Sequence, residues 1–89
     1  MTIDQNIVQA IVTLSKGNPG AITVATTLYE TCGEGPLIAL GELGIVGLDI
    51  WLFFKDCCGT DIVAMADALL QGRAVTMLEK CVDSSFYKP

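Results

Sequence analysis

Four cysteines (Cys32, Cys57, Cys58 and Cys81) and ten carboxylates stand in an 89-residue chain without a histidine. Structural zinc sites usually draw on thiolates two to four residues apart, because one turn then presents both to the same ion. Cys57 and Cys58 are adjacent, and neighbours on a helix point in different directions. No metal and no cofactor is expected. A cysteine nucleophile needs a base to lower its pKa, ordinarily histidine. Lys55 lies two residues before Cys57, a spacing that turns the two apart on a helix. The negative end of a helix dipole also disfavours a thiolate there. The cysteines are therefore read as free thiols packed as small hydrophobes. Asp49 and Asp56 share one helical line about 10 Å apart by helical rise. That is wider than the spacing of glycosidase carboxylates, and the pair reads as a solvated or capping stripe. Catalysis is not expected; a small enzyme using these carboxylates is the last of three readings.

Binding chemistry has more to work with. Asn18-Pro19-Gly20 reads as a helix start, where free backbone donors can receive an anion. Lys55 and Arg73 are isolated cations that could join it, and Trp51 or Tyr29 could stack on a ring. The candidate ligand site is thus Asn18, Gly20, Lys55 and Arg73, for a nucleotide-like anion bound or sequestered. The five bases, Lys16, Lys55, Arg73, Lys80 and Lys88, are nowhere adjacent, and the net charge is −5. Nucleic-acid binding usually requires a basic patch or stripe. General nucleic-acid affinity is not expected.

The elements that must position these groups are well punctuated. Thr2 and Gln5 form a capping box with Asp4 at the positive end of the dipole. Ile3, Ile7, Ile11 and Leu14 then recur at helical spacing, and Gly17 stops the first helix. Asn18 caps a second, Pro19 opens it, and Ala21, Ala25, Leu28 and Cys32 form its stripe to about residue 32. Its three threonines and Val24 lend it some strand character. After Gly33–Pro36 comes a two-turn helix ending at Gly44, then a tight connection through Ile45 and Val46, with a short strand as alternative. A fourth helix spans about Leu48–Cys58. Gly59 stops it, Thr60 caps a fifth with Asp61 in its first turn, and Gly72 ends that one. A last helix starts near Arg73, with Ala74, Val75, Leu78 and Val82 on one side. The fold class is all-α: a compact bundle of about five or six short helices, one domain over residues 1–83 and a frayed tail at 84–89 that could dock Phe86 and Tyr87 on a neighbour.

Hydrophobic residues make up 52% of the chain and charged residues 17%, against roughly a quarter in a typical domain. So small a globule cannot hide that much apolar material. The excess concentrates in the fourth helix, where Trp51, Phe53 and Phe54 are the candidate interface. An element apolar nearly all round is either a central helix or half of a subunit contact. A symmetric homo-oligomer is the expected state, and the leading reading is a non-catalytic interaction protein that binds itself or a host protein. The apolar stretch Pro36–Phe54 is interrupted by Glu42 and Asp49, which insertion scales penalise by about 3 kcal/mol each. No membrane association is expected. The opening residues lack the basic start and apolar core of a secretory signal, so the expected compartment is the cytoplasm.

At Gly17-Asn18-Pro19-Gly20-Ala21-Ile22, and again at Gly47-Leu48-Asp49-Ile50-Trp51 through Lys55-Asp56-Cys57, the chain resembles small helical bacteriophage and prophage proteins without an assigned activity. The resemblance implies a phage accessory or anti-defence protein in the host cytoplasm, and it carries over no catalytic residues.

Overall fold

Helix punctuation sets the architecture, and it can be followed residue by residue in the computed structural model, which describes the backbone of residues 4–86 and the side chains of residues 4–80. Six helices and no strand occur among the described residues. The first, α1 (Gln5–Ser15), is capped by Asp4, whose carboxylate accepts from the Asn6 N–H at 2.7 Å. Asp4 is thus the cap rather than a first-turn acid; Thr2, the expected cap, and Ile3 lie outside the described residues. Ile11 is buried, with Ile7 and Leu14 half-buried beside it. The stop takes two left-handed residues, Lys16 at φ 51° and Gly17 at φ 77°. Only the second is free of a Cβ penalty.

The second helix, α2 (Pro19–Cys32), starts as its sequence predicts. Asn18 Oδ1 accepts from the Ala21 N–H at 2.9 Å, and Pro19 occupies the first turn. Its strand-prone threonines are accommodated by back-bonding: Thr23 Oγ1 donates to the Pro19 carbonyl and Thr27 Oγ1 to that of Thr23. Such bonds satisfy the hydroxyl within the helix itself. Ala21, Val24, Ala25 and Leu28 are buried. This helix, not the fourth, is the central one.

The third helix, α3 (Gly35–Leu43), ends on Gly44 at φ 75°, and Ile45 turns inward to burial. Gly47 N–H donates to the Leu14 carbonyl at 2.6 Å, tying this turn to the end of α1. The fourth, α4 (Leu48–Leu52), runs straight into a π turn over Phe53–Cys57. The helix thereby places Ile50 and Phe53 at zero exposure. Its axis is bent by 118° from that of α3, and no single helix among the described residues is long and apolar enough to cross a membrane.

Gly59 (φ 61°) and Thr60 (φ 70°) make the next connection. The cap of α5 (Ile62–Leu70) is Asp61, not Thr60: its carboxylate accepts from the Val63 and Ala64 N–H groups at 3.0 and 3.1 Å. Thr60 cannot cap, because a left-handed residue lacks the extended backbone a cap adopts. Met65, Ala66, Ala68 and Leu69 face the core. After Gly72 (φ 73°) comes α6 (Ala74–Phe86), with Ala74 buried and Val75 and Leu78 half-buried. The helix continues past Ser84, where a frayed tail was expected; the side chains of Val82 and Phe86, and Tyr87 as a whole, lie outside the described residues.

The buried set runs from Ile11 to Ala74 and includes one polar side chain, Ser15, whose Oγ has no hydrogen-bond partner among the described residues. An unsatisfied hydroxyl in a core costs about 1–3 kcal/mol. Ser15→Ala should therefore leave stability unchanged or raise it by about 1 kcal/mol, read as the urea midpoint; a marked loss would mean that the hydroxyl is bonded. Asn18→Ala should lower stability by about 1 kcal/mol through loss of the cap, and Phe53→Ala by about 3–5 kcal/mol through the cavity left behind.

Candidate functional site

Three of the four predicted ligand residues meet at one place. The Trp51 indole lies over the start of α2, so that a Cβ added at Gly20 would come within 3.2 Å of Trp51 Cδ2 and 3.3 Å of Asn18 Oδ1. Lys55 Nζ stands 5.7 Å from the centroid of the Trp51 ring, within reach of a cation–π attraction. The backbone donors that were to cradle an anion are partly spent: the Ala21 N–H goes to Asn18 Oδ1 and the Ile22 N–H to the Asn18 carbonyl. Pro19 has none to give. Arg73 is engaged with Asp67, its guanidinium nitrogen 3.4 Å from Oδ2.

The predicted aromatic interface divides. Phe53 has no exposed surface, so it belongs to the core and cannot contact a partner. Trp51 and Phe54 are half-buried against that core, with ring centroids 6.2 Å apart at 47°. Burial within one chain thus accounts for much of the grease that the fourth helix was expected to present outside.

The cysteines are not uniform either. Cys32 and Cys58 are free and half-buried, whereas Cys57 is disulfide-bonded, which corrects the expectation of free thiols throughout. Burial pushes the Cys58 thiol above its ordinary value of 9.0; the Asp61 carboxylate adds to this and Arg73 opposes it. Asp49 and Asp56 are both exposed, and the π turn between them upsets the straight-helix line that related them. No group of three potential metal ligands occurs among the described residues.

A different surface stands out. Ile38 is 53% exposed and Leu70 63%, and they flank a concavity of about 370 Å3. Gly35, Ile38, Ala39, Glu42 and Leu43 contribute one whole face of α3; Leu69, Leu70 and Gly72 contribute the end of α5. Leu70 Cδ2 would meet a Cβ on Gly35 at 3.5 Å, so the two walls touch. The sequence reading missed this groove. Its signal was the nine-residue α3, apolar on its outer face as well as its inner one, with Glu42 as its one charge. Val63 is a second exposed apolar residue of α5, separated from Leu70 by the exposed Asp67.

No family model, curated protein or solved structure matches the chain.

The raised Cys58 pKa carries a sign. Well below pH 9.0 the thiol is neutral in both folded and unfolded chains. Above that, the unfolded chain ionises first, so stability falls as pH climbs through the higher folded value. Urea unfolding from neutral pH to about pH 10 should show a steeper alkaline loss for the wild type than for Cys58→Ser, and Cys58 should react slowly with iodoacetamide at neutral pH.

Proposed function

We propose that the chain is a non-catalytic interaction protein, of the accessory or anti-defence kind its two phage-like motifs imply, that works as a homo-oligomer through an apolar face. The observation that carries this reading is the groove between α3 and α5. A chain that has already enclosed Ile50, Phe53, Met65 and Leu69 still leaves Ile38 and Leu70 more than half exposed on either side of a concavity. Contiguous apolar surface of that kind marks sites of association. The contact face is therefore moved from the aromatic residues of α4 to the outer face of α3 and the end of α5 beside it. Trp51 lies against the start of α2, with Phe54 beside its ring.

The non-catalytic part rests on chemistry. The one described thiol with a shifted pKa is shifted away from reactivity, and the carboxylates Asp49 and Asp56 both stand exposed to solvent. Sequestration of an anion would have to draw on Asn18, Gly20 and Lys55, but the Ala21 N–H at that helix start already donates to Asn18 Oδ1 and Lys55 stands beside the Trp51 ring.

Light scattering over a range of concentrations should give a mass of at least two chains for the wild type. Ile38→Asp combined with Leu70→Lys should give one chain with an unchanged helical spectrum, because exposed substitutions usually cost no more than about 0.5 kcal/mol of stability. A wild type that stays monomeric throughout would overturn the homo-oligomeric reading.

A further inference from the structure

Neighbouring cysteines on the π turn are in different chemical states. Cys57 is disulfide-bonded, whereas Cys58, the next residue, and Cys32 are free thiols. Cys57 closes the π turn at Phe53–Cys57, and that turn is the main neighbour of α6 among the described residues. The helix packs more lightly on α4 and α5. Cys57 Sγ stands 3.3 Å from the Met77 carbonyl oxygen, so the sulfur lies at the seam between the turn and α6. The fourth cysteine of the sequence, Cys81, falls on α6, one turn beyond Met77. The seam is open to water: Cys57 is half-buried, and Lys55, Asp56, Gly59 and Thr60 around it are exposed. Disulfides within reach of solvent are the labile and regulatory ones.

We propose that the disulfide at Cys57 is a redox latch that holds α6 on the π turn and is opened by a dithiol reductant. The step is thiol–disulfide exchange. One thiolate of the reductant attacks a sulfur of the disulfide; a mixed disulfide forms, and the other cysteine leaves as a thiolate and takes a proton. The reductant's second thiolate then displaces the remaining cysteine and closes a disulfide of its own. The chain gains two electrons and two protons, and the reductant loses the same. Afterwards the Cys57 thiol can donate to the Met77 carbonyl across the same seam, but a thiol is a weak donor. What then holds α6 is the buried Ala74 with the half-buried Met77 and Leu78, a small set for a helix of 13 residues. Release of the helix frees Met77 and Leu78, so the reduced chain offers apolar surface that the oxidised chain keeps covered. Cys58 does not open the bond itself, because its thiol stays neutral near pH 7 and the attacking species is the thiolate. The latch is independent of the homo-oligomeric reading.

Hydrogen exchange of the full-length chain, with and without dithiothreitol at neutral pH, tests the latch. Reduction should speed exchange in α6 and the π turn roughly tenfold or more and leave α1, α2 and α3 as they are in the oxidised chain. Before reduction, peptide mapping should find Cys57 linked to the α6 peptide that carries Cys81, with Cys32 and Cys58 open to alkylation after unfolding. Cys57→Ser should show the fast pattern without any reductant, whereas Cys58→Ser and Cys32→Ser should match the wild type in both states. Should Cys57→Ser fail to fold, reduction of the wild type decides the question alone. Equal exchange before and after reduction would overturn the latch, as would a link from Cys57 to any other cysteine or an unreduced chain with all its thiols open. Acceleration shared by every helix would overturn it too, because the bond would then support the whole fold rather than one helix.

Discussion

Ala21 and Ala25 stand about one turn apart on α2 with no exposed surface, and Val24 and Leu28 extend the same face. Methyl groups in that position allow close approach, and α1, α3, α4 and α5 all pack on this one helix. Anything that shifts α2 therefore shifts every one of those neighbours. Its start is accordingly fixed in several ways at once. Asn18 closes the first turn, Pro19 pre-sets the backbone angle, and the Trp51 indole lies over Gly20, where even a methyl group would crowd the ring. Trp51 is thereby explained as a clamp on the central helix, and the lysine beside its ring is part of the same joint.

How much of this was readable depended on the type of signal. Glycines and capping residues act locally, so the ends of α1, α2, α3 and α5 lie close to where Gly17, Asn18, Gly44 and Gly72 place them. The cap of α5, expected at Thr60 and found at Asp61, was displaced for a local reason as well. After Gly59 the chain needs one more left-handed residue before it can extend, and that displaces the cap by one position. Burial depends on the neighbours an element meets, which spacing alone does not reveal. Phe53 and Trp51 look equally suited to an interface in sequence. The π turn beginning at Phe53 and the lie of α4 on α2 separate them into a core residue and a clamp. The groove was invisible for the same reason: Ile38 becomes an outward residue only once Leu37 and Leu40 are known to point in.

Of the apolar residues expected to face outward on the fourth helix, Phe53 went into the core, while Leu48 stays exposed and Trp51 and Phe54 half-buried. A chain of this size fills its core with a handful of large side chains, here led by Phe53, Leu28, Leu40, Ile50, Met65 and Leu69. Once those are seated, further apolar residues have nowhere inward to go. The overflow is spread over the surface, at Val8 and Val12 on α1, Ile38 on α3, Leu48 on α4, and Val63 and Leu70 on α5. Pro36, Leu37 and Leu40 take the inside, and Ile38 is left facing out beside Leu69 and Leu70 of α5.

Electrostatics then limits what can occupy that wall. Exposed acids are spread along the chain, from Asp4 and Glu30 through Asp49 and Asp56 to Glu79. Like charges on two copies repel over a screening length of about 8 Å at physiological salt. A hydrophobic surface alone cannot choose an orientation, since apolar attraction is non-directional. Charges at its edges can, because a misaligned approach sets acid against acid while an aligned one sets acid against base. In this chain Glu42 is the charged residue of the groove lining, while Arg73, just beyond Gly72, is paired with Asp67. The groove is apolar along its walls and acidic at Glu42, so whatever rests on it has to satisfy or avoid that carboxylate.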